Sequence, residues 1–104
     1  AWSLASTRPK AVRNVKAKAT KKGIRITWKK VSGANGYYIY RSTKKKSGYK
    51  KIHVVKKGKT QSYLDKKARK GKTYYYKIRT YKKAGGKKMQ SNWSKVVRKK
   101  YKNS

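Results

Sequence analysis

The apolar positions of the chain fall into short runs of period two. GIRITWKK (23–30) alternates most cleanly, with Ile24, Ile26 and Trp28 on one face and Arg25, Thr27 and Lys29 on the other, the pattern of a half-buried strand. Before it, AVRNVKAKAT (11–20) offers Val12, Val15 and Ala17 as the apolar positions of a first edge strand whose register the spacing leaves open. YYIYRS (37–42) sets Tyr37 and Ile39 against Tyr38 and Tyr40, and YKKIHVV (49–55) and TQSYLD (60–65) are further short strands. KGKTYYYKIRTYKKAGGKK (70–88) then places Tyr74, Tyr76, Ile78 and Thr80 on one face and Tyr75, Lys77, Arg79 and Tyr81 on the other. The first set is expected in the core and the second in water. A last strand is expected within SNWSKVVRKKY (91–101).

Turn chemistry separates these runs. SGANG (32–36), TKKKSG (43–48), KKARKGK (66–72) and AGGKK (84–88) are rich in Gly, Asn and Lys, and Gly and Asn accept positive φ at little steric cost. No amphipathic helix and no internal repeat emerges. The expectation is an all-β domain, a seven-stranded antiparallel β-sandwich.

The order GIRITW, GYYIYRS, GKTYYYKIRTY, SNWSKVV resembles a fibronectin type III domain, an immunoglobulin-like sandwich, above all the modules in secreted or surface proteins of Gram-positive bacteria. The resemblance covers residues 9–101, with 1–8 as a flexible N-terminal segment and 102–104 as a tail. Trp28 matches the family's second-strand tryptophan, Tyr37 the third-strand tyrosine and Tyr74 the tyrosine that follows the turn into the sixth strand. At this corner Ala68 stands where the family usually has a larger aliphatic residue, and the proline common near Lys70 is missing, which implies looser packing there. SNWS resembles half of the W-S-x-W-S element of cytokine-receptor modules, and implies Trp93 stacked on Arg79 or Lys77 as a structural cation–π ladder. Asn92-Trp93-Ser94 is also an N-glycosylation sequon, meaningful only on a eukaryotic secretory route.

Composition changes the functional picture more than the fold. The 104 residues contain 35 Lys and Arg against one acid, Asp65, for a formal net charge of +34. Chains this charged are often disordered, yet disordered polycations have no reason to keep aromatic and β-branched residues in alternating runs. On a folded surface of roughly 6,000 Å² the charges lie about 13 Å apart, against a Debye length of about 8 Å in physiological salt. Self-repulsion is therefore tolerable in saline and severe at low ionic strength.

The same composition removes most catalytic chemistry. Without Glu, and with Asp65 alone, paired carboxylate catalysis lacks its parts. His53, Asp65 and a serine could nominally form a triad, but no nucleophile-elbow motif is present, and His53 reads as an edge-strand histidine. One His and no Cys do not make a zinc site, and phosphate-loop patterns are missing, so no metal, no cofactor and no enzyme activity is expected. AWSLAST at the N-terminus is too short for a signal peptide and reads as a linker, a processed end or an expression scar.

What remains is binding. In the family's topology strands three, six and seven lie side by side, and their outward face would carry Tyr38, Tyr40, Tyr75, Lys77, Arg79 and Tyr81 with Lys95. Flat rings for sugars or bases, interleaved with cations for phosphate or sulfate, would make a polyanion platform. The same residues also fit an ordinary solvated strand face, since tyrosine favours strands and lysine stems pack over rings. Only seven of the 35 cations are arginine, which favours unspecific attraction to phosphates over reading of base edges; by the same token KKARK (66–70) matches a nuclear-localisation pattern through composition alone.

Three functions stay open. One is a monomeric, non-catalytic module of a larger secreted or cell-surface protein in a bacterial envelope, binding anionic polymers such as teichoic acids. Another is a natural or engineered supercharged protein that binds nucleic acids without sequence specificity, sulfated glycans and anionic membrane surfaces, enters cells and carries cargo. The third is an inert spacer domain.

Overall fold

The computed structural model describes residues 11–84, 86–91 and 93–101. The expected terminal segments 1–8 and 102–104 and the sequon's Asn92 lie outside these residues. Eight strands follow in order: β1 (Arg13–Thr20), β2 (Gly23–Lys29), β3 (Gly36–Ser42), β4 (Lys50–Val55), β5 (Ser62–Asp65), β6 (Thr73–Ala84), β7 (Lys87–Gln90) and β8 (Val97–Lys100). All pair antiparallel, in a three-stranded sheet ordered β1-β2-β5 and a five-stranded sheet in which β4-β3-β6 is continued by β7 and β8, both hydrogen-bonded to β6.

Eight strands replace the expected seven because a short strand, β7, forms ahead of the final run. Lys87 and Lys88, expected in the hairpin loop, begin β7 opposite Ala84 and Lys83. Ser91 and residues 93–96, expected as strand, leave the ladder before β8 resumes at Val97 opposite Tyr76. Serine hydroxyls fill the gap. Ser91 and Ser94 accept hydrogen bonds through Oγ from the Thr80 and Ile78 amides, while their own amides donate to the Thr80 and Ile78 carbonyls. Ser91 and Ser94 thus continue the pairing of β6 between β7 and β8.

The sandwich core follows the period-two reading. Ile24, Ile26 and Trp28 of β2 face Tyr37 and Ile39 of β3 and Tyr74, Tyr76 and Ile78 of β6, with Val12, Val31, Val55 and Tyr101 closing the ends. Each fully buried aliphatic chain contributes roughly 1.5–3 kcal/mol. In a chain with ten tyrosines and no phenylalanine, these rings must also satisfy their hydroxyls. They do so at the margins of the sandwich. Tyr37 donates to the Gly58 carbonyl at 2.7 Å and accepts from the Val31 amide, Tyr101 donates to the Thr20 carbonyl, and Tyr74 accepts from the Arg69 amide at 2.8 Å. The Tyr74 bond ties down the 66–72 corner, whose Ala68 packs half-buried against the core. Trp28 meets Tyr37 edge-on, its ring centroid 5.4 Å away.

β1 carries one extra residue relative to β2. Arg13 pairs with Lys29 and Lys16 with Thr27, so three steps on β1 oppose two on β2. Asn14 takes φ 57° at this bulge, a left-handed value that asparagine tolerates better than most residues. The extra step lets Val12 and Val15 both turn inward, which settles the register the spacing left open.

Candidate functional site

The outward face of the five-stranded sheet gathers most of the residues singled out from the sequence. The β3/β6 register sets Tyr38 beside Arg79, Tyr40 beside Lys77, Ser42 beside Tyr75 and Gly36 beside Tyr81. All seven candidates except Lys95 therefore share one face, as period two requires.

Two of them are not open to a ligand. Tyr38 and Tyr81 are 6% and 5% exposed, stacked on each other with centroids 4.8 Å apart and planes inclined by 21°. Tyr81, expected to face water, sinks because Gly36 opposite has no side chain: a Cβ there would lie 2.6 Å from the Tyr81 ring and closer still to the Val55 carbonyl. Lysine ammonium groups then cap the pair, Lys51 over Tyr38 at 4.7 Å and Lys88 over Tyr81 at 5.8 Å.

The middle of the face is a ladder of alternating cations and rings. Trp93, held by the serines on either side, lies under both Lys77 Nζ at 3.9 Å and the Arg79 guanidinium at 4.1 Å, and meets Tyr40 edge-on at 4.7 Å. This is the stack that SNWS implied. Sequence reading missed its second ring on Lys77: Tyr49, at 4.3 Å from Nζ, enters from the end of the 43–49 loop. Burial between these rings, reinforced by the neighbouring Arg79 charge, lowers the Lys77 ammonium below the ordinary lysine value. Tyr75 stays half-exposed. Lys95 is exposed and lies off the paired strands, lining a groove with Trp93 and with Val12 and Arg13 of the N-terminal edge.

A second cluster was not anticipated. Asp65, the single acid, is 1% exposed at the end of β5. Arg41 Nη1 of β3 donates to both of its carboxylate oxygens at 2.8 and 3.1 Å, the Tyr76 hydroxyl donates to Oδ2 at 2.7 Å, and the Lys67 amide to Oδ1 at 3.2 Å. Burial, with the hydrogen bond to Asp65 and its charge, drives the Tyr76 hydroxyl well above its ordinary value. For Arg41, burial opposes the charge, and the bond and charge of Asp65 outweigh that opposition, so its value rises. The signal available in the sequence was the presence of one acid, at an inward strand position, in an otherwise cationic chain. These three groups tie β5 of one sheet to β3 and β6 of the other. Arg41 and Asp65 border a cleft of about 680 Å³ between the β4 and β5 edges, with His53 stacked on Tyr63 at 4.3 Å. Among the described residues His53 thus has a ring partner and no hydrogen-bonded serine, and Asp65 is occupied by Arg41 and Tyr76, so the nominal triad is not assembled there. Among the described residues no group of three His, Cys, Asp or Glu could hold a metal.

No protein-family model and no curated protein sequence matches this chain. Solved structures do. The chain is similar to a Fn3-like protein from Clostridium thermocellum, at 25% identity over 86% of this chain and 92% of that one, with a TM-score of 0.68. It is similar to part of a β-1,2-glucanase from Parabacteroides distasonis, at 26% identity over 95% of this chain but only 14% of that one, with a TM-score of 0.72. The sixth fibronectin type III domain of human fibronectin type III domain containing protein 3 matches in fold, with 13% identity, 94% and 90% coverage and a TM-score of 0.71.

Proposed function

We propose, from the premise that this chain has the fibronectin type III fold, that it is a non-catalytic module which binds anionic polymers through its electrostatic field. One observation carries the reading. Of 36 charged side chains at neutral pH, the one acid is buried and neutralised by Arg41, so the surface presents cations alone. A field of one sign over a whole domain attracts polyanions and releases their counterions on binding.

The ladder shifts the emphasis within this reading. A platform for stacked bases or sugars needs open ring faces, and Tyr38, Tyr81 and Trp93 already have theirs covered. Field-driven attachment is favoured over ring recognition. The proposed setting is the bacterial cell surface, where the module would hold a larger protein to wall or surface polyanions, a setting supported by the bacterial Fn3-like neighbour at 25% identity.

The test is a salt titration of binding to heparin, single-stranded DNA and wall teichoic acid, followed by fluorescence anisotropy. All three should bind saturably at physiological salt and weaken steeply as salt rises. Absence of saturable binding to any of them in physiological salt would make the domain a spacer.

A further inference from the structure

The outward face of the three-stranded sheet is unlike the ladder. Register places Lys18 directly opposite Arg25 and Arg13 directly opposite Lys29, with Lys16 between them along β1. All five side chains are exposed, and none meets an acid or an aromatic ring among the described residues. Outward residues of one strand repeat every ~7 Å, and directly opposed Cβ atoms lie ~5 Å apart. The result is a grid of uncompensated cations on strand backbone.

Three features argue that this grid is a binding surface. Like charges set directly opposite each other destabilise a sheet, so the arrangement opposes folding unless an anion bridges the pairs. The bulge at Asn14 is what brings Arg13 onto this face: with regular alternation, residues 13 and 16 would point to opposite sides. Cations mounted on paired strands also have less freedom to lose on binding than those of the 43–48 loop.

We infer that the β1/β2 face, and not the tyrosine-bearing face, is the contact surface for a linear polymer of sulfate or phosphate esters, with Arg13, Lys16, Lys18, Arg25 and Lys29 each facing anionic groups. The inference rests on the polyanion reading above and gives it a location. With no ring on the grid, the partner is recognised by its anions alone. Bases or sugar faces contribute nothing.

The test compares two variants of equal charge. One carries Lys16→Gln, Lys18→Gln, Arg25→Gln and Lys29→Gln; the other carries Lys44→Gln, Lys45→Gln, Lys46→Gln and Lys57→Gln in exposed loops. Each has a net charge of 34 − 4 = +30. Binding to heparin and to inorganic polyphosphate is measured by anisotropy across a salt series. The grid variant should lose at least about tenfold in affinity at 150 mM salt for the polymer that matches the site, and its log–log salt slope should flatten by about three, from four lost contacts. The loop variant should lose less than about threefold. Greater loss for heparin than for polyphosphate assigns sulfate esters, and the reverse assigns phosphates. Equal losses in the two variants would overturn the inference while leaving field-driven binding intact, whereas a wild-type protein that binds neither polymer would remove both. The smaller pair Lys18→Gln, Arg25→Gln against Lys44→Gln, Lys45→Gln repeats the comparison with less disturbance of the sheet, and thermal melts confirm that each variant is folded.

Discussion

Replacing Asp65 by Asn tests the one place where this chain spends a negative charge. The amide keeps the size and shape of the carboxylate and removes its charge, leaving the Arg41 guanidinium beside a neutral group. Removing one partner of a buried pair typically costs about 3–5 kcal/mol, because the other charge is left uncompensated. Here Asp65 is 2% exposed by side chain and Arg41 25%, so water relieves part of the cost and the lower end, ~3 kcal/mol, applies. The Tyr76 hydroxyl can still donate to the amide oxygen, but passing from a charged to a neutral acceptor weakens that bond by about 1 kcal/mol. The expected total is ~3–4 kcal/mol, a large share of the roughly 5–15 kcal/mol that holds a domain folded. Urea denaturation at 150 mM salt should show the midpoint falling by about 2 M or more at an unchanged m-value. Adding Arg41→Met to the variant removes the orphaned charge and should recover at least about 1 kcal/mol, a coupling that a double-mutant cycle reads directly. A loss below ~1 kcal/mol, or a double variant no better than the single one, would refute the claim that the buried Asp65 carboxylate is what compensates the Arg41 charge.

Three further outcomes are expected. Because the folded state holds the Tyr76 hydroxyl protonated above its ordinary value, the stability it contributes is complete below pH ~10 and is lost as pH rises beyond, when the unfolded chain ionises and the folded one does not; the stability gap between wild type and Tyr76→Phe should therefore narrow between pH 9 and 12 in urea melts, and a constant gap would refute it. Trp93→Ala removes two cation–π contacts and one edge-on ring contact, each worth about 0.5–1.5 kcal/mol, and should cost ~2–3 kcal/mol while raising the Lys77 titration midpoint toward the ordinary lysine value in NMR. Lowering salt from 150 to 10 mM should depress the thermal midpoint by several degrees, since Lys18/Arg25, Arg13/Lys29 and Lys83/Lys88 oppose like charges across strands; an unchanged midpoint would show that the field does not load the fold.

What was legible in the sequence follows from the period of a strand. Alternation alone separated Tyr74, Tyr76 and Ile78 from Tyr75, Lys77 and Arg79, because a side chain two residues on returns to the same face. It could not separate Tyr81 from Tyr75. Both point outward, and their difference in burial is set by the residue on the neighbouring strand, Gly36 for one and Ser42 for the other. The same limit hid Arg41–Asp65, whose partners sit on different sheets 24 residues apart. It also hid the cationic grid, since Arg13 reaches that face only through a bulge that no alternation rule anticipates. SNWS was readable because its resemblance named both the ring and the cations beneath it.

The two outer faces solve the problem of a one-sign domain in different ways. On the five-stranded sheet, rings stand where other proteins place carboxylates: Trp93, Tyr38, Tyr40, Tyr49 and Tyr81 each lie against a Lys or Arg. A ring attracts a cation through its quadrupole yet adds no negative charge, so these contacts hold the sheet together without reducing the field outside it. Carboxylates at the same positions would give comparable cohesion and cancel the field. The arrangement has a corollary for where a polyanion goes. A cation lying on an indole must leave it, or bind from one side only, to meet sulfate or phosphate, while the bare grid on β1 and β2 gains from the first anion that arrives. Cohesion is assigned to one sheet and attraction to the other, which is why charge-matched substitutions on the two faces should differ: removing Lys77 or Arg79 should act mainly on stability, and removing Lys18 or Arg25 mainly on binding.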